Sequence, residues 1–243
     1  MPKKSDSTFE YEGGDLEAML FAENYYRWIF DDIKPYIGQN VVEVGSGVGS
    51  FSKLILQTNP KTVHLIEPSQ AMHKQLKKNI KKSSKTAINT HNDYLSGVES
   101  DLKKSHPDTF IYINVFEHIE DDAAEIRKIK SLLKKGGHVI IFVPALTSLY
   151  SDYDKSIGHF RRYTKDSLEA LCKNAGLEII SLGYRDIFGT ASWWFNFVAL
   201  KRGGLSPSMV KVYDKFFVPV IRAAESRVKV PFGKNVMVVA KKS

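Results

Sequence analysis

The 243-residue chain has a single cysteine, Cys172, which excludes an intrachain disulfide and any metal site built from several thiolates. No stretch of 18 apolar residues occurs. The longest candidates, around Val139–Val143 and Ala191–Leu200, are far too short to cross a bilayer. The opening residues Met1-Pro2-Lys3-Lys4-Ser5-Asp6 lack the apolar core of a signal peptide, so a soluble, cytoplasmic protein is expected. Neither an internal repeat nor a low-complexity linker marks a domain boundary, and a single domain over residues 1–243 is expected. What is present is ordinary for a globular chain: 43% hydrophobic and 26% charged residues exclude a disordered or fibrous polypeptide. Lysine and arginine (35) exceed aspartate and glutamate (27), giving a net charge of +8 that permits an anionic partner without demanding one.

Residues 1–14 are polar and read as a flexible arm. From Asp15, a plausible N-cap, the residues Leu16, Met19, Leu20, Trp28, Ile29 and Ile33 recur at helical spacing until Pro35 and Gly38, which predicts an N-terminal lid helix within 15–38. Strand patterns then alternate with helix patterns. Strands are expected at Asn40–Gly45, Thr62–Glu67, Thr86–Thr90, Thr109–Val115, Gly137–Val143, Leu177–Tyr184 and Val236–Ala240. Helices are expected at 50–58, Gln70–Lys82, Asp122–Leu133 and Lys165–Ala175. Such alternation with short connections implies an α/β fold, a parallel sheet covered by helices on both faces. Two long connections break the rhythm: Pro144–Tyr163 and the aromatic-rich 187–227, read as a helical insertion over the acceptor. Both follow strands, and ligands of open α/β sheets bind beyond the carboxyl ends of strands.

The first strand runs into Glu43-Val44-Gly45-Ser46-Gly47-Val48-Gly49, where glycine lets the backbone turn sharply and a ligand lie close against it. The second strand ends in Glu67-Pro68, a spacing at which a carboxylate can hold both hydroxyls of an adenosine ribose. A dinucleotide fingerprint would need glycine at position 50, where serine stands. The pattern Glu43-x-Gly45-x-Gly47-x-Gly49 resembles instead the signature of class I S-adenosylmethionine-dependent methyltransferases. The resemblance continues in order: Asn92-Asp93 after the third strand, Asn114-Val115-Phe116-Glu117-His118-Ile119-Glu120-Asp121 after the fourth, and Leu132-Leu133-Lys134-Lys135-Gly136-Gly137 before the fifth. Further on, Leu149-Tyr150, Asp154, Gly158-His159-Phe160-Arg161-Arg162-Tyr163 and Ala175-Gly176-Leu177 resemble a bacterial subgroup associated with glycan and other surface-polymer gene clusters.

The resemblance implies a Rossmann-like, seven-stranded, mostly parallel sheet with an antiparallel last strand, and S-adenosyl-L-methionine as cofactor. It places Glu43, Gly45, Ser46, Gly47, Gly49, Glu67, Pro68, Asn92, Asp93, Asn114 and Val115 around that cofactor, with Glu43 toward its ammonium and Asp93 toward its adenine. The implied reaction is methyl transfer to a small-molecule or glycan-like acceptor, with O-methylation favoured and His159 or His118 as the base. Tyr153, Arg161, Arg162, Tyr163 and Trp193 are expected on the acceptor side, where arginines would suit an anionic group. The alternative for the arginines is a structural latch onto Asp152, Asp154 or Glu117.

No metal is expected. Glu117 and His118 resemble part of a Glu-x-x-Glu-His arrangement known from some O-methyltransferases, but Asn114 replaces its first glutamate. Lys77, Lys78, Lys81, Lys82 and Lys85 share a helix face without interleaved arginines or aromatics, a solvated face rather than a nucleic-acid site. Cys172 reads as a buried packing residue. Adjacent Trp193 and Trp194 cannot both face one side of a helix, so one is free for the acceptor pocket or a membrane-facing surface, the latter without further support in the sequence. A silent cofactor-binding partner subunit and a nicotinamide-dependent oxidoreductase remain as other function classes.

Overall fold

The computed structural model describes residues 19–81 and 83–243; the expected arm at 1–14, the Asp15 cap and Lys82 lie outside them. Seven strands form one sheet: β1 Asn40–Val44, β2 Thr62–Ile66, β3 Ala87–His91, β4 Thr109–Ile113, β5 His138–Pro144, β6 Glu178–Arg185 and β7 Asn235–Lys241. Their order is β3-β2-β1-β4-β5-β7-β6, parallel throughout except that β7 runs antiparallel to both β5 and β6. This is the Rossmann-like architecture expected.

The central strands are apolar on both faces because helices cover both. On β4, Phe110 and Tyr112 enter one core while Ile111 enters the other; Val139, Ile141 and Val143 of β5 oppose Ile140 and Phe142 in the same way. The helices are α1 Glu23–Ile33, α2 Ser52–Leu56, α3 Gln70–Asn79, α4 Glu99–Ser105, α5 Asp122–Leu132, α6 Asp152–Ser156 and α7 Lys165–Asn174. Several begin at caps legible in the sequence: Ser69 accepts from Met72 N, Asp121 from Ala124 N, and Thr164 from Ser167 N.

Some boundaries differ from expectation. The N-terminal helix spans Glu23–Ile33 and closes with a 3₁₀ turn at Lys34–Tyr36; Leu20, read as part of its apolar stripe, is exposed. Two short helices were not expected: α4, between β3 and β4, and α6, inside the long connection Pro144–Tyr163. The insertion after β6 comprises α8 Ile187–Trp193, a π-helical stretch Trp194–Ala199, α9 Pro207–Val212, a second π-helical stretch Tyr213–Phe217, and α10 Val218–Glu225. Cys172 is fully buried among the apolar residues of one core, and burial pushes its thiol up to about 12. No helix of the described residues is long and apolar enough to cross a membrane.

Candidate functional site

The strand order reverses between β1 and β4, and the crevice at such a switch point is where ligands of open α/β sheets bind. A cavity of about 1630 Å³ opens there, walled by the carboxyl ends of β1, β2 and β4, by Tyr150–Arg162 and by the insertion. It exceeds the range of roughly 300–1,000 Å³ for a single-ligand site, and so has room for a cofactor together with an acceptor.

The glycine loop forms one end. Gly45 N and Ser46 N both donate to Ile66 O, which ties the loop to β2. Gly45 has φ +73°, and a Cβ there would stand 2.3 Å from Val115 Cγ2, so only glycine allows β1 and β4 to close beneath the cavity. Gly47 has φ +53° and open space where a Cβ would be, while its N–H donates to Glu67 Oε2 at 2.8 Å. Ser69 N donates to the other Glu67 oxygen at 2.9 Å, so the loop and the end of β2 share one carboxylate.

Glu43 is buried beneath the loop, where Ser46 Oγ donates to its carbonyl and Ser52 Oγ to its carboxylate. Burial pushes its pKa up to about 8, with the Glu67 charge adding to the rise and Ser52 opposing it. Nothing in the sequence singled out Ser52 among the serines of this segment.

After β4 the chain turns at Asn114, whose φ is +55° and whose Oδ1 is buried without a hydrogen-bond partner among the described residues. Pro68, Asp93, Asn114 and Val115 all line the cavity. Asn92 does not: its amide donates to the carbonyls of Glu67 and Pro68, which makes it a brace behind the site rather than a ligand. Two carboxylates, a glycine cradle and an unpartnered amide oxygen form a donor set suited to an ammonium and ribose hydroxyls, so the residues present fit S-adenosylmethionine.

A little beyond Val115, Glu117 also lines the cavity and is fully buried, with neither carboxylate oxygen hydrogen-bonded among the described residues. Burial raises its pKa to about 7 against the lowering pull of His159 and Arg162. His159 Nδ1 lies 2.9 Å from Asp154 Oδ1, and its Nε2 lies 3.9 Å from Glu117 Oε1. His118 packs edge-on against the His159 ring at 4.7 Å, and burial first, then His159, hold its pKa down to about 4. Ligand atoms of Glu117, His118 and His159 all fall within 4.8 Å of one another. The structure thus brings together three residues from two separate connections, and Glu117 enters as a cavity carboxylate that the sequence offered only as an ion partner.

The arginines behave as a latch. Arg162 is buried, donates to Asp154 through Nε and to Ala145 O through Nη1, and stacks over the Trp193 ring at 4.6 Å. Arg161 lies away from the cavity, paired with Asp122 at 2.7 Å and donating to Glu120 O. Tyr163, also outside the cavity, donates to Asp122 Oδ2 and Phe116 O. Arg161 and Tyr163 are therefore committed to the protein itself rather than to an acceptor. Tyr153 and Trp193 do line the cavity; Tyr153 stacks on Phe197 at 4.6 Å, and Trp193 Nε1 is buried without a partner among the described residues. Trp194, its neighbour, points to solvent, 53% exposed.

A family model described as a methyltransferase domain matches residues 21–182. The chain belongs to this methyltransferase-domain family, and S-adenosylmethionine is the cofactor its cleft is built for. An uncharacterized methyltransferase of Geobacillus sp. (strain WCH70) is 32% identical over 131 residues, 53% of this chain and 58% of that protein. A tRNA U34 carboxymethyltransferase of Alteromonas mediterranea is 30% identical over 122 residues, 47% of this chain and 36% of that protein. The match thus spans little more than half the length of the first relative and about a third of the second. Among solved structures, the Haemonchus contortus phosphoethanolamine N-methyltransferase 2 in complex with S-adenosyl-L-methionine superposes with a TM-score of 0.64 at 14% identity, covering 100% of this chain and 61% of that one. A Haloferax volcanii methyltransferase, solved with its Trm112 activator, gives 0.61 at 14% identity over 95% of this chain and 94% of that one. At such identities the likeness is one of fold.

Proposed function

We propose that the protein transfers a methyl group from S-adenosylmethionine to a hydroxyl of a small-molecule or glycan-like acceptor, with His159 as the base. The observation that carries this reading is the buried Asp154–His159–Glu117 arrangement, of which His159 and Glu117 line the cavity. The bound cofactor supplies an already activated methyl, which leaves the protein alignment, water exclusion and removal of one proton. Asp154 holds the Nδ1 side of His159, a geometry that keeps the proton there and leaves Nε2 as the acceptor. Glu117 stands beside Nε2, where it orients the incoming hydroxyl. Its own pKa near 7 keeps it within reach of either protonation state at neutral pH. Trp193 Nε1 offers a donor on the same side. Arg162 acts indirectly, by fixing Asp154.

The test uses methyl-labelled S-adenosylmethionine and a panel of sugars, phosphosugars and glycolipids. Label should enter a hydroxyl acceptor, and His159→Ala should lower turnover about 10²–10⁴-fold while S-adenosylhomocysteine still binds. Saturating S-adenosylhomocysteine at about 100 times its Kd should add roughly 2.7 kcal/mol, a rise in Tm on the order of 5–10 °C; NAD should add none. Binding without transfer to any acceptor would favour a silent cofactor-binding subunit, and a response to NAD alone would favour an oxidoreductase.

A second reading has an observation of its own, the close grouping of Glu117, His118 and His159. Two imidazoles and a carboxylate suit a borderline divalent ion such as zinc or ferrous iron. Transfer abolished by dialysis against a chelator and restored by one such ion would establish it; transfer indifferent to chelation would leave His159 as base.

A further inference from the structure

The insertion between β6 and β7 carries an exposed aromatic surface that overlaps the cavity wall only in part. Phe188, Trp194, Phe195, Phe216, Phe217 and Val220 are each more than half exposed. Its two arms, α8 with the first π-helical stretch and α9 with the second, meet at the cavity, because Phe188, Met209, Val212 and Phe217 are both exposed and part of its wall. Large aromatic side chains left exposed in such number on one insertion mark it as an interaction surface.

The charge around it is one-sided. Residues 187–229 contain seven basic side chains, Lys201, Arg202, Lys211, Lys215, Arg222, Arg227 and Lys229, against two acidic ones, Asp214 and Glu225. Both acids turn inward. Asp214 accepts from the backbone of Asn24 and Tyr25, and Glu225 from that of Asp186 and Ile187. Five of the eight net positive charges of the chain therefore sit in this one segment; Arg222 is paired with Asp31 at 2.8 Å, so the basic character of the face rests on the other six side chains. Lysines also stand directly over the exposed rings, Lys215 over Phe216 and Lys211 over Phe21.

We propose that this face docks on an anionic phospholipid surface, with the aromatic side chains entering the headgroup region and the lysines and arginines meeting the phosphates. Aromatic residues flanked by basic ones on short helices are the composition of elements that lie on a bilayer rather than span it, and no described helix is long and apolar enough to span one. A second copy of the chain fits poorly, since two faces of the same positive sign repel, and protein interfaces are depleted of lysine at their centre. In the docked orientation the cavity mouth opens toward the lipid, and an amphiphile could reach the cavity without crossing water. The inference concerns the surface alone and does not depend on which atom is methylated.

The test is flotation of the full chain with vesicles of phosphatidylcholine, and with vesicles in which about a third is phosphatidylglycerol. The expected result is at least tenfold stronger partition onto the anionic vesicles, lost in high salt. A triple variant, Trp194→Ser, Phe195→Ser and Phe216→Ser, should reduce partition about tenfold or more. Its Tm and S-adenosylhomocysteine affinity should stay unchanged, because none of the three side chains lines the cavity. Bromine-labelled lipid should quench tryptophan fluorescence in the native chain and much less in Trp194→Phe. Equal weak binding to both vesicles, or anionic binding untouched by the triple variant, would overturn the proposal. So would a dimer in light scattering that the triple variant abolishes, which would give the face to a second copy.

Discussion

Glu67 links two features by a single side chain. One oxygen holds the N–H of Gly47 and the other that of Ser69, so the carboxylate is set by backbone donors before any ligand arrives. Losing a charge-assisted bond to ribose costs about 1.5–3 kcal/mol. Glu67→Ala should therefore weaken S-adenosylhomocysteine binding roughly ten- to a hundredfold by calorimetry, with the apo protein still folded. Unchanged affinity would move the ribose away from the end of β2. The two tryptophans teach a related lesson. A helix sends neighbouring positions to different sides, and here Trp193 takes the cavity and Trp194 the solvent. Nothing in the dipeptide itself says which goes where; the packing of Trp193 against Phe197 and Arg162 decides it.

The loop Gly158–Tyr163 and helix α6 form one latched unit around Asp154, which Ser151, His159 and Arg162 all engage. Asp154→Asn would leave the Arg162 guanidinium buried without its counter-charge, a loss of about 3–5 kcal/mol. A large fall in Tm is expected, along with a defect in transfer. Tyr163→Phe is the milder probe, removing one hydroxyl from Asp122 and Phe116 O at a cost of about 1–3 kcal/mol. Its S-adenosylhomocysteine affinity should stay close to that of the native chain, and a large drop would mean that Tyr163 reaches the cofactor after all. The strands were legible because β-branched alternation and bounding glycines are local signals, and so were the glycine loop and Glu67, which lie close in sequence. Helix α6 was not, because five residues make little more than one turn and show no periodicity. The meeting of Glu117 with His159 was invisible for a different reason: it joins two connections that only the sheet brings together. Of the latch partners the sequence offers, Asp152, Asp154 and Glu117, Arg162 takes Asp154, while Arg161 pairs with Asp122, a residue of α5 that nothing local to the loop points to.

Acidity and stability are coupled across the fold. Glu43 and Glu117 are held near 8 and 7 by burial, above the ordinary carboxylate value of 4.5, so the folded state favours their protonated forms. The stability they contribute is full below about pH 4.5 and is lost as pH rises through 7 and 8. His64 and His118, held down to about 4 chiefly by burial, oppose this only below their ordinary value of 6.5. Above pH 6.5 the carboxylates act against no such histidine term, and the Tm of the ligand-free chain should fall between pH 6.5 and 8.5. Glu43→Gln should flatten the upper part of that fall; a Tm that rises over the window would show that Glu43 is ionised in the fold. The sheet has an order of assembly written into it as well. β7, the latest strand in the chain, is inserted between β5 and β6, and β6 pairs with no strand but β7. During synthesis, which delivers residues from the N-terminus onward, the five parallel strands can join as soon as β5 has emerged. Among the described strands β6 must wait, unpaired, until Asn235–Lys241 arrives and joins it to the sheet, whereas the insertion can already rest on α1 through Asp214. The five parallel strands that carry the glycine loop and Glu67 can thus be complete before the edge strand is sewn on by a single seven-residue thread.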